Sequence, residues 1–198
     1  NVGSVGALLI SRAGGKVVGI GDVNNSYYKA DGIDVEAAYV YANSHGRSLD
    51  GYTEEGLTII GHEELLDLDV DVLYLAALEN QVNADNMKNI KARIILEGAN
   101  GPLTNDADAY FTEKGTTIIP DVLANGGGVV VSYYEWVQNK AGFYWSEEEV
   151  NERLKVNMQN SFNAVWEIKE KYNVPFRLAA YMLALQRLTA AIKLHGYN

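Results

Sequence analysis

Short apolar runs alternate with helix-forming segments through the first three quarters of the chain. Four of these runs are interpreted as strands: "KVVGIGD", "VDVLYLAAL", "ARIILEGA" and "TTIIPDVL". Within them, "VLYLAAL" and "RIIL" are continuously apolar, as expected of strands that are buried on both faces. Segments with apolar residues at helical spacing lie before, between and after them. The alternation predicts an α/β domain with a mostly parallel sheet flanked by helices.

Capping and turn-forming residues indicate where the helices begin and end. We expect helices over residues 2–13, after Asp34, after Thr104 or Asn105, and over "VVVSYYEWVQNKA". Shorter helices are expected over "HEELLDLD" and over "NADNMKNI", the second capped by Asn83. The polar segments "NNSYYKADGID" and "GRSLDGYTEEGLTIIGH" are interpreted as a turn and a connector.

Two long helices are expected at the end of the chain. "SEEE" is a capping box, with Ser146 at the N-cap and Glu149 three residues later, and it opens an amphipathic helix that ends near "KYNVP". The segment "RLAAYMLALQRLTAAIKLH" is apolar on most faces, and Gly196 ends it. We therefore divide the chain into a domain over residues 1–145 and a C-terminal helical segment, residues 146–198, that packs on it.

Charge and composition narrow the class of partner. The formal net charge is -10, which repels phosphate backbones and anionic lipid, so we expect neither nucleic acid nor a membrane as a partner. The chain has no cysteine, which excludes a disulfide or a thiolate nucleophile and fits a cytoplasmic location. The three histidines share no spacing with carboxylates that suggests a metal site, so we expect no metal.

The opening "NVGSVG" and the later Asp22 form a candidate dinucleotide site. The fingerprint G-x-G-x-x-G lies between a strand and a helix, and an acidic residue about 20 positions on bonds the adenosine ribose. Asp22 follows Gly3 by 19 positions at the end of a predicted strand. The free N–H groups of the helix start can bind pyrophosphate. This stretch alone favours the alternative that Gly3 and Gly6 only allow close packing on a sheet.

Polar residues also follow two later strands, where open α/β sheets bind ligands. Asn100 in "EGANGPLT" can bond a carboxamide, although the turn-forming residues around it by themselves favour a structural role. In "PDVLANGGGVVVSYYEWVQN", Asn125 and the glycines 126–128 can approach a planar ligand, and Ser132 can point a hydroxyl toward a cleft. For Asn125 and Ser132 a ligand role and a structural role are equally supported.

In this order, these stretches resemble the nucleotide-binding domain of the glutamate, leucine, phenylalanine and valine dehydrogenase family over essentially the whole chain. "NVG" is similar to the end of the family's G-F-G-N-V-G, and "AALENQV", "EGANGP" and "PDVLANGGGVVVSYYEWVQN" are similar to further family motifs. "EGANGP" favours the glutamate dehydrogenases within the family. The resemblance implies a Rossmann-like fold with one strand reversed and an enzyme that is usually a homohexamer.

The resemblance also implies a reaction and a site. The reaction is the reversible oxidative deamination of L-glutamate to 2-oxoglutarate and ammonia, with hydride passing to NAD or NADP. Residues that match the family's motifs carry over by position: Asn1, Val2 and Gly3 at the pyrophosphate, Asp22 at the adenosine ribose, Ala76 and Ala77 along the cofactor groove, Asn100 and Asn125 at the nicotinamide, and Ser132 at the substrate. Repulsion of a 2′-phosphate by Asp22 predicts a preference for NAD.

Parts of the family pattern have no counterpart in this chain. The family's catalytic lysine and aspartate lie in an N-terminal domain that no segment matches, so we expect no catalytic residue here and no activity from this chain alone. The first strand of the Rossmann-like sheet and two fingerprint glycines are also missing. Family members often have Ala at the position of Gly126 and Pro or a similar residue at that of Leu75.

Two alternatives remain open. One keeps the family and changes the substrate to a branched or aromatic amino acid, since side-chain selectivity is set in the domain that has no match. The other is a non-catalytic nucleotide-binding or oligomerisation module, which the apolar C-terminal helix suggests because its surface suits subunit packing.

Overall fold

The computed structural model describes residues 2–194 and residue 196, and the chain forms two compact units. Unit 1 comprises Asn1–Thr116 and unit 2 comprises Thr117–Asn198. Within the described residues, no helix is long and apolar enough to cross a lipid bilayer.

The first sheet of unit 1 is antiparallel, with its three strands in sequential order. The strands are β1 (Gly19–Gly21), β2 (Ser26–Tyr28) and β3 (Thr58–Ile60). Tyr27 of β2 is only 1% exposed and forms part of the hydrophobic core of this region. Because β2 runs opposite to both neighbours, this sheet contains one reversed strand.

Two of these strands differ from the expectation drawn from the sequence. β2 lies in the segment interpreted as a turn, and β3 lies in the segment interpreted as a connector. Each strand has three residues, which is too short for a period of two to stand out among polar neighbours. The turn is confined to residues 22–25, where the N–H of Asp22 donates to the carbonyl of Asn25 at 2.9 Å.

The two most apolar predicted strands form a parallel pair. They are β4 (Val72–Leu75) and β5 (Ile94–Glu97), and the register places Leu73 beside Ile95. Both of these side chains are buried on one face of the pair, whereas Val72 and Ile94 on the other face are exposed in the described chain. β1 and β4 are edge strands of two separate sheets in the described chain.

Four helices complete unit 1 and confirm predicted helices: α1 (Val2–Arg12), α2 (Val35–Ser44), α3 (His62–Leu66) and α4 (Asn105–Lys114). The side chain of Asp34 caps α2 by accepting from the N–H of Ala37 at 2.9 Å. Thr104 caps α4 in the same way, accepting from the N–H of Ala107 at 3.4 Å. These caps satisfy backbone N–H groups that have no partner inside the helix.

The prediction of a short helix over residues 83–90 is wrong. Turns occupy this stretch, in which Asn83 accepts from the N–H of Asp85 at 3.0 Å and Asn86 accepts from the N–H of Asn83 at 2.9 Å. Amide side chains that bond nearby backbone groups compete with the helical hydrogen bonds. In this stretch the side-chain bonds form and the helix does not.

Glycines allow α1 to lie directly on β4. A Cβ atom on Gly6 of α1 would collide with the ring of Tyr74 in β4, and a Cβ on Gly98 would lie 2.5 Å from the other edge of the same ring. The ring therefore occupies the space that side chains at both positions would need. Three residues earlier, a Cβ on Gly3 would make an ordinary 3.4 Å contact with the Cβ of Ala76. The start of α1 consequently lies beside the end of β4.

Unit 2 contains one strand and four helices among its described residues: β6 (Thr117–Ile119), α5 (Asp121–Ala124), α6 (Gly127–Ala141), α7 (Glu147–Tyr172) and α8 (Phe176–Leu194). The capping box is confirmed, since Ser146 accepts from the N–H of Glu149 at 3.2 Å and Glu149 accepts from the N–H of Ser146 at 3.1 Å. The apolar run "TTIIPDVL" is divided between β6 and α5 because α5 begins directly after Pro120.

The core of unit 2 lies between α5, α7 and α8. Its buried members are Leu123, Val165, Ile168, Phe176, Ala179 and Ala180. The second half of α8 leaves this core, and Leu185 and Leu188 are 63% and 60% exposed. The prediction of a helix that is apolar on most faces is confirmed, but only its first half is covered by the described chain.

The packing of α1 on β4 predicts opposite results for two glycine substitutions in one helix. Gly6→Ala should lower the free energy of unfolding by about 1–3 kcal/mol, because Tyr74 is held on both sides and cannot yield. Gly3→Ala should be neutral or slightly stabilising, because its new methyl group finds ordinary contact distance and Ala is the better helix former. Urea denaturation followed by circular dichroism measures both.

A third variant tests whether a collision with the ring of Tyr74 causes the loss of stability expected for Gly6→Ala. Tyr74→Leu removes the ring edge, so the cost of Gly6→Ala should become smaller in a Tyr74→Leu background. Equal costs in the two backgrounds, or a Gly6→Ala protein as stable as Gly3→Ala, would contradict this description of the interface.

Candidate functional site

The start of α1 and the end of β4 form one side of the candidate site. The first N–H groups of a helix have no partner inside the helix, and they favour an anion. The first turn of α1 contains no acidic side chain that could occupy these groups. Through the approach of Gly3 to Ala76, this helix start lies at the carboxyl end of a parallel strand. The geometry suits a phosphate group of a ligand.

The loops that follow β4 and β5 are joined to each other. The carbonyl of Leu75 accepts from the N–H groups of Gly98 and Ala99, each at 2.8 Å. Further along, the N–H of Asn80 donates to the carbonyl of Gly101 at 2.8 Å. These bonds fix the two loops at the same edge of the strand pair.

Small and polar residues line this edge. Ala76 is half-buried, while Ala77 and Asn100 are exposed. Two consecutive alanines leave room for a ligand above the end of β4, and the exposed amide of Asn100 lies in the neighbouring loop. The structure therefore brings Gly3, Ala76, Ala77 and the Asn100 loop to one edge of unit 1.

Asp22 lies immediately after β1, and four donors surround its carboxylate. Oδ1 accepts from the backbone N–H groups of Asn24 at 2.8 Å and Asn25 at 3.0 Å. Oδ2 accepts from the N–H of Leu49 at 2.6 Å and from the hydroxyl of Ser48 at 3.4 Å. The carboxylate is thus held in one orientation by residues from two different segments.

These hydrogen bonds decide the charge of Asp22. Partial burial by itself would raise the pKa of this carboxyl, but the backbone N–H groups of Leu49, Asn25 and Asn24 outweigh burial and leave the pKa below its ordinary value of 3.8. The side chain is therefore ionised at neutral pH. A fixed negative charge at the end of β1 favours a hydroxyl donor and repels a phosphate group.

Of the remaining predicted site residues, the described ones lie on α1, α5 and α6. Asn1 is outside the described residues, and Val2 begins α1 with 51% of its surface exposed. Asn125 ends α5, where its backbone N–H donates to the carbonyl of Asp121 at 3.0 Å. Ser132 is exposed on α6, and its hydroxyl donates to the carbonyl of Gly128 at 3.0 Å. Asn125 and Ser132 belong to unit 2.

Ser48 and Asn24 were missed in the sequence. Both touch the Asp22 network, and the amide of Asn24 donates to the Ser48 hydroxyl at 3.0 Å. Ser48 lies 26 positions after Asp22 in a segment interpreted as a connector. No sequence spacing indicates that its side chain contacts Asp22. The Asp-x-Asn-Asn sequence of the turn was the available signal for Asn24, since such residues bond their own backbone.

The described histidines have local partners. The ring of His45 stacks on Tyr41, with centroids 3.9 Å apart, and His62 shares a 2.7 Å hydrogen bond with Ser26. Across residues 2–194 and residue 196, no group of three or more His, Asp or Glu side chains is placed to hold a metal ion.

Comparison with known proteins gives a consistent set of relatives. The chain is 46% identical over 197 residues to a glutamate dehydrogenase of Thermotoga maritima, a match that covers 99% of this chain and 47% of the relative. It is 43% identical to a catabolic NAD-specific glutamate dehydrogenase of Bacillus subtilis, over 100% of this chain and 46% of the relative. The chain thus spans about half the length of the curated relatives it matches.

Solved structures agree with the sequence relatives. The fold matches a hetero-hexameric glutamate dehydrogenase from Thermus thermophilus in its leucine-bound form, with a TM-score of 0.87 and 34% identity over 98% of this chain and 45% of that one. This match confirms the predicted α/β, Rossmann-like class. The sequence model of the glutamate/leucine/phenylalanine/valine dehydrogenases matches residues 1–196, and the chain therefore belongs to that family.

Proposed function

We propose that this chain is the NAD-binding part of a glutamate dehydrogenase, which converts L-glutamate reversibly to 2-oxoglutarate and ammonia. The observation that carries the proposal is the meeting of the α1 start with the end of β4, where a Cβ on Gly3 would lie 3.4 Å from the Cβ of Ala76. Such a place binds the pyrophosphate of a dinucleotide in Rossmann-like folds. Relatives of about 40–46% identity that are named glutamate dehydrogenases, several of them NAD-specific, support the choice of substrate and cofactor.

The residues at the site fit this cofactor. The N–H groups at the start of α1, from Val2 onward with Asn1 before it, would hold the pyrophosphate, and the small side chains of Ala76 and Ala77 would let the cofactor lie along the strand ends. Asp22, ionised and held rigidly, would accept a hydroxyl of the adenosine ribose. What NAD supplies in such an enzyme is an acceptor for hydride.

Three polar residues would complete the binding of cofactor and substrate. Asn100 would orient the nicotinamide carboxamide, because an amide side chain offers both a donor and an acceptor to another amide. For Asn125, the match to the family motif alone supports a role at the nicotinamide. Ser132 would contact the substrate. We assign the cofactor-binding domain to residues 1–145, and we assign no catalytic residue to this chain.

The proposal extends to the assembled enzyme. The relatives are about twice as long as this chain, and we propose that the proton-transferring groups and most substrate contacts belong to the other half of such an enzyme. We further propose a cytoplasmic homohexamer. The assembly is measured by light scattering of the intact gene product, for which the mass of a hexamer is expected.

Turnover tests the proposed reaction. The intact gene product should reduce NAD in the presence of L-glutamate, with little rate on L-leucine or L-phenylalanine, and the 198-residue chain alone should show no turnover. Absorbance of NADH at 340 nm measures the rate. Activity on leucine or phenylalanine but not on glutamate would move the protein to another substrate within the family, and no activity with any amino acid would favour a non-catalytic module.

Cofactor titration tests the role of Asp22. NADH should bind at least about tenfold more tightly than NADPH, because a 2′-phosphate near the carboxylate brings like charges within a few ångströms. Asp22→Asn should reduce this ratio, whereas Asp31→Asn, which neutralises an exposed carboxylate of the same unit, should leave it unchanged. Nicotinamide fluorescence reports both affinities. An equal or better affinity of the wild-type protein for NADPH would refute the assignment.

A further inference from the structure

The hydroxyl of Ser48 lies at the centre of the network around Asp22. It donates to Oδ2 of Asp22 at 3.4 Å, and it accepts from the side-chain amide of Asn24 and from the backbone N–H of Asp50, each at 3.0 Å. The serine is half-buried. Its one proton is therefore directed to the carboxylate that the proposed function assigns to the adenosine ribose.

The carboxylate of Asp22 has no spare capacity in this arrangement. Two carboxylate oxygens offer about four acceptor positions, and the bonds from Asn24, Asn25, Leu49 and Ser48 correspond to four donors. A ribose hydroxyl that donates to Asp22 must replace one of them. Three of the four donors are backbone N–H groups at 2.6–3.0 Å, while the Ser48 hydroxyl is the most distant, at 3.4 Å. The exchange of one hydroxyl for another at this position disturbs the backbone least.

We propose that Ser48 is a further cofactor-binding residue, which receives the 2′-hydroxyl of the adenosine ribose between its own Oγ and Oδ2 of Asp22. The ribose hydroxyl would donate its proton to Asp22 and accept the proton of Ser48, so that each group keeps a partner. This inference rests on the proposed binding of NAD. A 2′-phosphate brings no neutral hydroxyl donor to Asp22, and the same pair of residues would therefore discriminate between NAD and NADP.

The segment that carries Ser48 is held in place by other bonds. The amide of Asn25 donates to the carboxylate of Asp50 at 3.0 Å, and the hydroxyl of Tyr27 donates to the carbonyl of Leu49 at 2.7 Å. The hydroxyl of Tyr41 donates to the carbonyl of Asp50 at 2.7 Å. These bonds do not involve the Ser48 side chain. They should keep the segment in position when the hydroxyl is removed, although the N–H of Asp50 and the amide of Asn24 then lose an acceptor.

A thermodynamic cycle between protein and ligand tests the contact. The ligands are NADH and its analogue that lacks the 2′-hydroxyl of the adenosine ribose. The proteins are the intact gene product as wild type and its Ser48→Ala and Ser48→Thr variants. Ser48→Ala should weaken NADH binding by roughly 3- to 10-fold, the size of one hydrogen bond, and should change the affinity for the deoxy analogue by less than about twofold. Ser48→Thr, which keeps the hydroxyl, should bind NADH as the wild type does.

Ser44→Ala is the matched control. Ser44 is exposed, and its hydroxyl bonds the carbonyl groups of Val40 and Tyr41 within α2, so its removal should affect neither ligand. Thermal melting shows whether each variant is folded. If Ser48→Ala does not melt cooperatively, Ser48→Cys takes its place, because a thiol fills the same position and donates only weakly.

The outcomes separate this inference from the function on which it rests. Wild-type protein that binds NADH, with Ser48→Ala weakening both ligands equally or neither ligand, overturns the Ser48 contact and leaves the proposed NAD site standing. Wild-type protein that binds no NADH overturns the proposed function and the Ser48 contact together. Selective weakening of NADH supports both.

Discussion

The close approach of α1 to β4 is the constraint on which the candidate site depends. It exists because Gly6 and Gly98 leave room for the ring of Tyr74, which fills the space beside both glycines. Closely packed protein interiors transmit small displacements, so a single added methyl group changes the stability of the fold. The same approach places Gly3 against Ala76 and thereby sets the free N–H groups of the helix start at the end of a parallel strand. The proposed phosphate-binding position therefore depends on this packing.

The ionised carboxylate of Asp22 adds an electrostatic constraint to the candidate site at the end of β1. The surface as a whole is acidic, with a formal net charge of -10, yet Asp22 is kept ionised by oriented backbone N–H groups from two segments. The N–H groups of α1 are thus suited to bind an anion, while the carboxylate at the end of β1 repels an anion and can accept only from a donor such as a hydroxyl. A dinucleotide whose adenosine ribose carries no phosphate satisfies both requirements, and this is the physical basis for preferring NAD.

Local sequence was informative wherever a local interaction decides the structure. The caps at Asp34, Thr104 and Ser146 could be predicted because each bonds a backbone N–H group three residues away. The apolar strands β4 and β5 could be predicted because each lies in a short, almost continuously apolar run bounded by turn-forming residues. The prediction of a helix over residues 83–90 was wrong because the side chains of Asn83 and Asn86 bond nearby backbone N–H groups there, which hydrophobic periodicity does not reveal. The role of Ser48 was missed because its partner lies 26 positions earlier and meets it only in the folded chain.

The central claim is that NAD binds where α1 meets the ends of β4 and β5, with its ribose at Asp22. A chain of 21.7 kDa is small enough for amide-resolved NMR, and titration of the isotope-labelled chain with NAD tests the claim most directly. The account predicts that the largest shifts occur at Gly3, Asp22, Ala76 and Asn100, with the amide of Leu49 shifting alongside Asp22. Shifts confined to other parts of the chain, with these amides unmoved at saturating NAD, would contradict it.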